Sequence, residues 1–151
     1  MTAFLAARKL LERCGYPPLP IRLNRICDFL GIGLYFHNLD SLDGYFMYEG
    51  DSALIVINES RAVVRQRFSV AHELGHLVMG HGAAGFVGGL LLEGRREKWK
   101  EVHANRFASE LLMPEVHLAQ FRASLTSEKL SRICHVSEEA ARIRLEQLGW
   151  R

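Results

Sequence analysis

His72, Glu73 and His76 stand as His-Glu-x-x-His inside the run FSVAHELGHLVMGH, Phe68 to His81. Histidines four apart lie one above the other on a helix, so both imidazoles can reach one metal ion. Glu73 follows the first of them by one residue, roughly 100° further round a helix of 3.6 residues per turn. From there its carboxylate can touch a water at the metal without itself becoming a ligand. Two ligands, a base and an open coordination position are what metal-assisted peptide hydrolysis requires.

A helix must hold this group, and the sequence supplies one. Val70, Leu74, Leu77 and Val78 cluster opposite the two histidines, the spacing of a helix packed on a core. Gly75 has no side chain, which lets another segment come close beside the site. The helix runs through Val63, Val64 and Phe68, is capped by Asn58 or Ser60, and stops at Gly80 or Gly82.

A third ligand is expected from a second long helix, about Arg95 to Met113, ended by Pro114. Its inward face carries Ala104, Phe107, Ala108, Leu111 and Leu112, and Glu101 and Asn105 continue that face toward the N-terminus. A carboxylate there is unfavourable unless it meets a cation. Glu101 is therefore the expected third metal ligand, with Asn105 placed to hold a ligand histidine by a hydrogen bond. Its rivals are weaker. His103 lies roughly 200° from Glu101 and should face outward, Glu97 is one turn earlier, and Glu93 falls in a loop. His81 does not complete the longer three-histidine pattern, because Met79 and Gly82 stand where that pattern needs Gly and His. A donor to the developing oxyanion is also required; Tyr45, Tyr48, His81 and His103 are the candidates, and the sequence does not choose among them. The ligand types favour Zn²⁺, one ion, while Mn²⁺ or Fe²⁺ also suit such a site.

The remaining elements frame these two helices. At 151 residues, with 48% hydrophobic and 24% charged, the chain reads as one globular domain, 1–151. Phe4, Leu5, Leu10 and Leu11 mark a first helix, and Ile21 to Leu30 a second with Ile26, Phe29 and Leu30 inward. Gly33–His37, Tyr45–Tyr48 and Ala53–Ile57 alternate with short turns and predict a small, mostly antiparallel sheet in an α+β fold. Five glycines between Gly82 and Gly94 read as a loop beside the site, either a lid or a plain connection. The tail, 126–149, has a helix-turn-helix outline, Val136, Ala140 and Ile143 facing Leu130 and Ile133. Its charges cancel, Lys129, Arg132, Arg142 and Arg144 against Glu128, Glu138, Glu139 and Glu146, so direct DNA binding is not expected and packing is its role. A net charge of +2 argues for neither nucleic acid nor membrane. No apolar run spans a bilayer and no signal-peptide core is present. Cys14, Cys27 and Cys134 lack metal spacing and read as reduced thiols in a cytoplasmic protein.

Taken together, DGYF (Asp43–Phe46), LIVIN (Leu54–Asn58), RQRFSVAHELGHLVMGH (Arg65–His81), EVHANRFASELLMP (Glu101–Pro114) and VSEEAARIRLEQLG (Val136–Gly149) resemble the ImmA/IrrE family of zincin-like metallopeptidases. The resemblance runs from about Pro20 to the end. It implies a zincin-like fold, metal ligands His72, His76 and Glu101, and catalytic Glu73. It also implies a substrate, a helix-turn-helix transcriptional repressor on a separate chain, of phage, mobile-element or stress-response type. In such a fold an extended substrate pairs with an edge strand, here Tyr45–Tyr48 or Ala53–Ile57. Two other classes compete: a non-catalytic regulator that keeps a metal for structure, and a toxin-antitoxin protein. A structural zinc usually has four protein ligands, and three are found here.

Overall fold

The computed structural model describes residues 1–81 and 97–150 of the chain. The glycine-rich stretch 82–94, with the lid reading attached to it, lies outside these residues. Helix α1 (Ala3–Arg13) begins where the Thr2 hydroxyl accepts from the Leu5 N–H at 3.1 Å, satisfying one free donor of the first turn. It buries Ala3, Ala6, Ala7, Leu10 and Leu11, and the alanines bring it close against the later helix α4 (Lys98–Leu112). Helix α2 (Leu23–Leu30) buries Leu23, Ile26 and Cys27 and ends at Gly31, whose φ of 70° needs no Cβ. Phe29, expected inward, is 51% exposed with the Arg13 guanidinium over its ring. It sits about 200° round the helix from Cys27, on the opposite face.

The sheet is mixed, which corrects the expectation of a mostly antiparallel one. Strands β1 (Gly33–His37), β2 (Gly44–Glu49) and β3 (Ser52–Asn58) lie in the order β1-β3-β2. β2 and β3 form an antiparallel hairpin, while β1 pairs with β3 in parallel. The reason is the connection from β1 to β2, which straddles the slot that β3 later fills. Buried Asn58 pins that connection: its amide donates to the Asp40 and Leu42 carbonyls at 3.1 and 2.8 Å, and its own N–H bonds the Asp43 carbonyl. A short turn suggests that β1 and β2 are neighbours, but an asparagine at the end of β3 holds them apart.

That use of Asn58 also decides the start of helix α3 (Val63–Val78). Ala62 stands at its N-cap without a side-chain cap, so neither Asn58 nor Ser60 plays that part; the Asn58 Oδ1 instead accepts from Ser60. Val70, Ala71 and Leu74 are buried beneath α3, each larger apolar side chain contributing about 1.5–3 kcal/mol. Val78, expected inward, is exposed, while Leu77 and Met79 beside it still pack against the core. At Gly75 an added Cβ would lie 3.0 Å from the Phe107 ring, so the bare backbone is what lets α4 lie against α3.

After α4 come a short helix α5 (Glu115–Leu118), a 3₁₀ turn (Ala119–Ser124), and helices α6 (Ser127–Cys134) and α7 (Glu138–Leu148). The Ser137 hydroxyl caps α7 by accepting from Ala140. Leu130, Cys134, Val136, Ala141 and Leu145 join the same core as Leu10 and Leu74. Ile143, expected to face α6, is exposed; the buried stripe of α7 runs through Ala141, Arg144 and Leu145. Arg67 of α3 fastens the tail, donating to the carbonyls of Ile21, Cys134 and His135.

Arg144 is the larger surprise. Expected among the tail's solvent charges, it is fully buried, paired with Glu110 of α4 and donating to the Met113 carbonyl at 3.0 Å. Glu110 also meets Arg8 of α1 at 2.8 Å, so one carboxylate ties three helices together. Burial and the neighbouring Arg8 charge pull the Arg144 guanidinium down to about 9. The cysteines are free thiols, and burial pushes Cys27 and Cys134 up to about 12. No described helix is long and apolar enough to cross a membrane.

Candidate metal centre

Helix α3 delivers His72 and His76 from successive turns, and α4 crosses it at the Gly75–Phe107 contact with Glu101 on the facing side. The three side chains bring one donor atom each to within 4.8 Å of the others. The two Nε2 atoms are 3.1 Å apart, and the Glu101 oxygens lie 2.7 Å from His72 Nε2 and 3.4 Å from His76 Nε2. Metal–donor bonds of about 2.0–2.2 Å in a tetrahedron need donors spaced about 3.3 Å. The spacing therefore fits a cation without rebuilding the site. The charge fits it too. Burial works to raise the Glu101 carboxyl, yet the adjoining His72 and His76 rings, when they carry a proton on Nε2, hold it well below the usual carboxylate range by hydrogen bonds and charge. A cation among these atoms would act in the same direction.

Both rings are oriented from behind. His72 Nδ1 is 2.8 Å from the Asn105 Oδ1, an atom that can only accept, so Nδ1 carries the proton and Nε2 keeps its lone pair for a metal. His76 Nδ1 lies 2.9 Å from His81 Nδ1, and Phe46 of β2 stacks on the His76 ring at 6.2 Å. The Phe46 support is not legible in the sequence, because an alternating strand marks Phe46 only as a core residue.

Glu73 is 3% exposed and lines a cleft of about 400 Å³ together with His72, Glu101 and Asn105. Leu42, Asp43 and Gly44 supply its other rim, where β2 begins. Burial works to raise the Asp43 carboxyl, but Arg61 and Arg65 bond it and keep it below its ordinary value. Of the four groups considered for the oxyanion, none lines this cleft among the described residues. Tyr45 is half-buried and Tyr48 exposed on β2. His81 and His103 line a separate groove at the end of α3, where Trp99 of α4 packs against both rings. His103 is half-buried there and not turned fully outward as expected. Glu97 stands at the N-cap of α4, and Glu93 lies outside the described residues.

The model of the peptidase M78 family, described as the IrrE N-terminal-like domain, matches residues 27–146. No curated protein matches the chain. Among solved structures, a Mycobacterium tuberculosis transcriptional regulator is similar in fold, with a TM-score of 0.66 at 19% identity. The match takes in 95% of this chain and 46% of that one, so this chain spans about half the length of that protein.

Proposed function

Because the chain belongs to the peptidase M78 family of IrrE N-terminal-like domains, we propose that it is a zincin-like, metal-dependent endopeptidase that cuts a transcriptional regulator carried on another polypeptide. One observation carries the reading: the Glu73 carboxylate lines a cleft with His72 and Glu101, which together with His76 bring three possible metal donors to one point. A divalent metal there supplies Lewis acidity, polarising the scissile carbonyl and making an attacking water more acidic. His72, His76 and Glu101 would hold it; the donor types favour Zn²⁺. Glu73 takes the proton of the attacking water at its carboxylate and hands it to the leaving amine.

The sheet bears on how a substrate enters. β3 is the central strand, so of the two strands considered it is β2, Tyr45–Tyr48, that lies at the edge of the sheet among the described residues, and β2 begins at Gly44 on the cleft rim. An extended peptide adds to this edge through main-chain hydrogen bonds, which favours loops and unfolded linkers over packed helices. The similar solved structure is that of a transcriptional regulator, which supports a regulatory setting, and the free thiols suit the cytoplasm. Tyr45 is the remaining oxyanion candidate nearest the rim.

The test is Glu73→Gln. Metal content and fold should persist while cleavage of a repressor substrate falls by about two to four orders of magnitude. Unchanged cleavage by this variant would defeat the mechanism; metal binding without any cleavage by the parent chain would favour the non-catalytic regulator instead.

A further inference from the structure

We infer that His81 is a positioning residue for the ligand His76: its Nδ1 accepts the His76 Nδ1–H and so aims the His76 Nε2 lone pair at the metal position. The inference rests on the metal-centre reading above and adds a residue to it that no ligand motif contains.

The device begins in the backbone. Helix α3 ends with Gly80 at φ 67°, its N–H bonding the Leu77 carbonyl at 3.2 Å, while the His81 N–H bonds the His76 carbonyl at 2.9 Å. This pair of bonds is a Schellman turn, which needs a left-handed residue that glycine adopts without steric penalty. It folds the chain back so that residue 81 lies over residue 76. Spacing alone, four residues to Gly80 and one more to His81, thus sets the second imidazole against the first.

The contact is a hydrogen bond in a closed space. The two Nδ1 atoms are 2.9 Å apart, with His76 at 0% exposure and His81 at 9%. The rings meet edge to face at 5.1 Å, and Trp99 holds His81 from the α4 side at 5.5 Å. Of two imidazoles sharing such a bond, one donates and the other accepts. Were His81 the donor, the neutral His76 would carry its proton on Nε2, the atom that faces His72 Nε2 at 3.1 Å and Glu101 at 3.4 Å. A ligand must present a lone pair there, so His76 donates and His81 accepts. Among the described residues His81 lines a different groove from the cleft of His72, Glu73 and Glu101.

Two substitutions separate this role from packing. His81→Leu keeps an apolar side chain of similar bulk and removes the acceptor; in His81→Asn the Oδ1 falls where the imidazole Nδ1 was. Zn²⁺ affinity is read by competition with a chromophoric chelator, and the His76 tautomer by ¹⁵N NMR of the metal-free protein. His81→Leu should bind Zn²⁺ about 10–100-fold more weakly, and its His76 should show a mixture of tautomers. His81→Asn should recover most of the affinity and the Nδ1–H form. Zn²⁺ binding by His81→Leu within twofold of the parent, or by His81→Asn as weak as by His81→Leu, overturns the assignment. A parent protein that binds no Zn²⁺ at all would sink the peptidase reading, and the tautomer spectrum would still decide the role of His81.

Discussion

His72 and His76 sit one turn apart on the same helix and present the same nitrogen to the same point, yet they are held by opposite means. The His72 side chain is 17% exposed and is backed by Asn105, an exposed amide on a neighbouring helix. The His76 side chain is wholly buried, stacked under Phe46 and backed by His81 from the turn that closes its own helix. Where water can reach, a lost partner is replaced at small cost. Where it cannot, the partner must come from the protein, since a buried donor left unmade costs about 1–3 kcal/mol. The two halves of the ligand pair should therefore respond differently to the same kind of damage.

The largest effect comes from removing what the two rings share. Glu101 lies within 2.7 and 3.4 Å of the two Nε2 atoms. Structural zinc sites bind with an apparent ~10–16 kcal/mol over four ligands, so losing one of three donors should weaken Zn²⁺ by at least about a hundredfold. Glu101→Ala, measured by chelator competition, checks this. Near-stoichiometric metal in that variant would mean that the third ligand is elsewhere. The fold should survive, because Glu101 is half-exposed and absent from the apolar core.

Smaller than the loss in His81→Leu is the effect expected in the exposed half of the comparison. Asn105→Ala removes the acceptor behind His72, but solvent reaches that ring and a water can take the amide's place. Zn²⁺ affinity should fall by about tenfold or less, the low end for such partners, and less than in His81→Leu. A greater loss from Asn105→Ala than from His81→Leu would reverse the comparison and show that exposure does not set the strength of support.

The same contrast separates what is legible in the sequence from what is not. Positions joined by helical periodicity are legible: His72 with His76, and Glu101 with Asn105, because one turn of a helix fixes side chains three or four apart on one face. The strand bounds are legible as well, since alternation and turn residues act locally. What depends on a distant partner is not. The β1-β3-β2 order follows from Asn58 pinning the Asp40–Asp43 connection, a contact across 16 to 18 residues. Arg144 reads as a surface charge until Glu110, from a different helix, is set beside it in the core. His81 falls between these cases. Gly80 and His81 are adjacent and Gly80 marks a helix stop, but its consequence for the His76 ring depends on a left-handed turn whose side-chain outcome no periodicity describes.

The smallest effect is expected one ring further out. His103 lies 6.3 Å from His81 and 5.3 Å from Trp99, ring centre to ring centre, half-buried at the edge of the groove behind α3. It lines that groove and not the cleft of His72 and Glu101, and the closer packing on His81 comes from Trp99. If support for His76 ends at His81, removing His103 trims only the groove wall. His103→Ala should then leave Zn²⁺ affinity within about twofold of the parent and lower stability by about 0.5–1 kcal/mol, the ordinary range for a partly exposed side chain. Thermal unfolding of the metal-free protein and the same chelator competition read the two quantities separately. A His103→Ala protein that loses as much affinity as His81→Leu would extend the buried half of the comparison into a relay of three imidazoles. The His76 ring would then be held by the α4 surface as a whole, with the turn at Gly80 only delivering the first link.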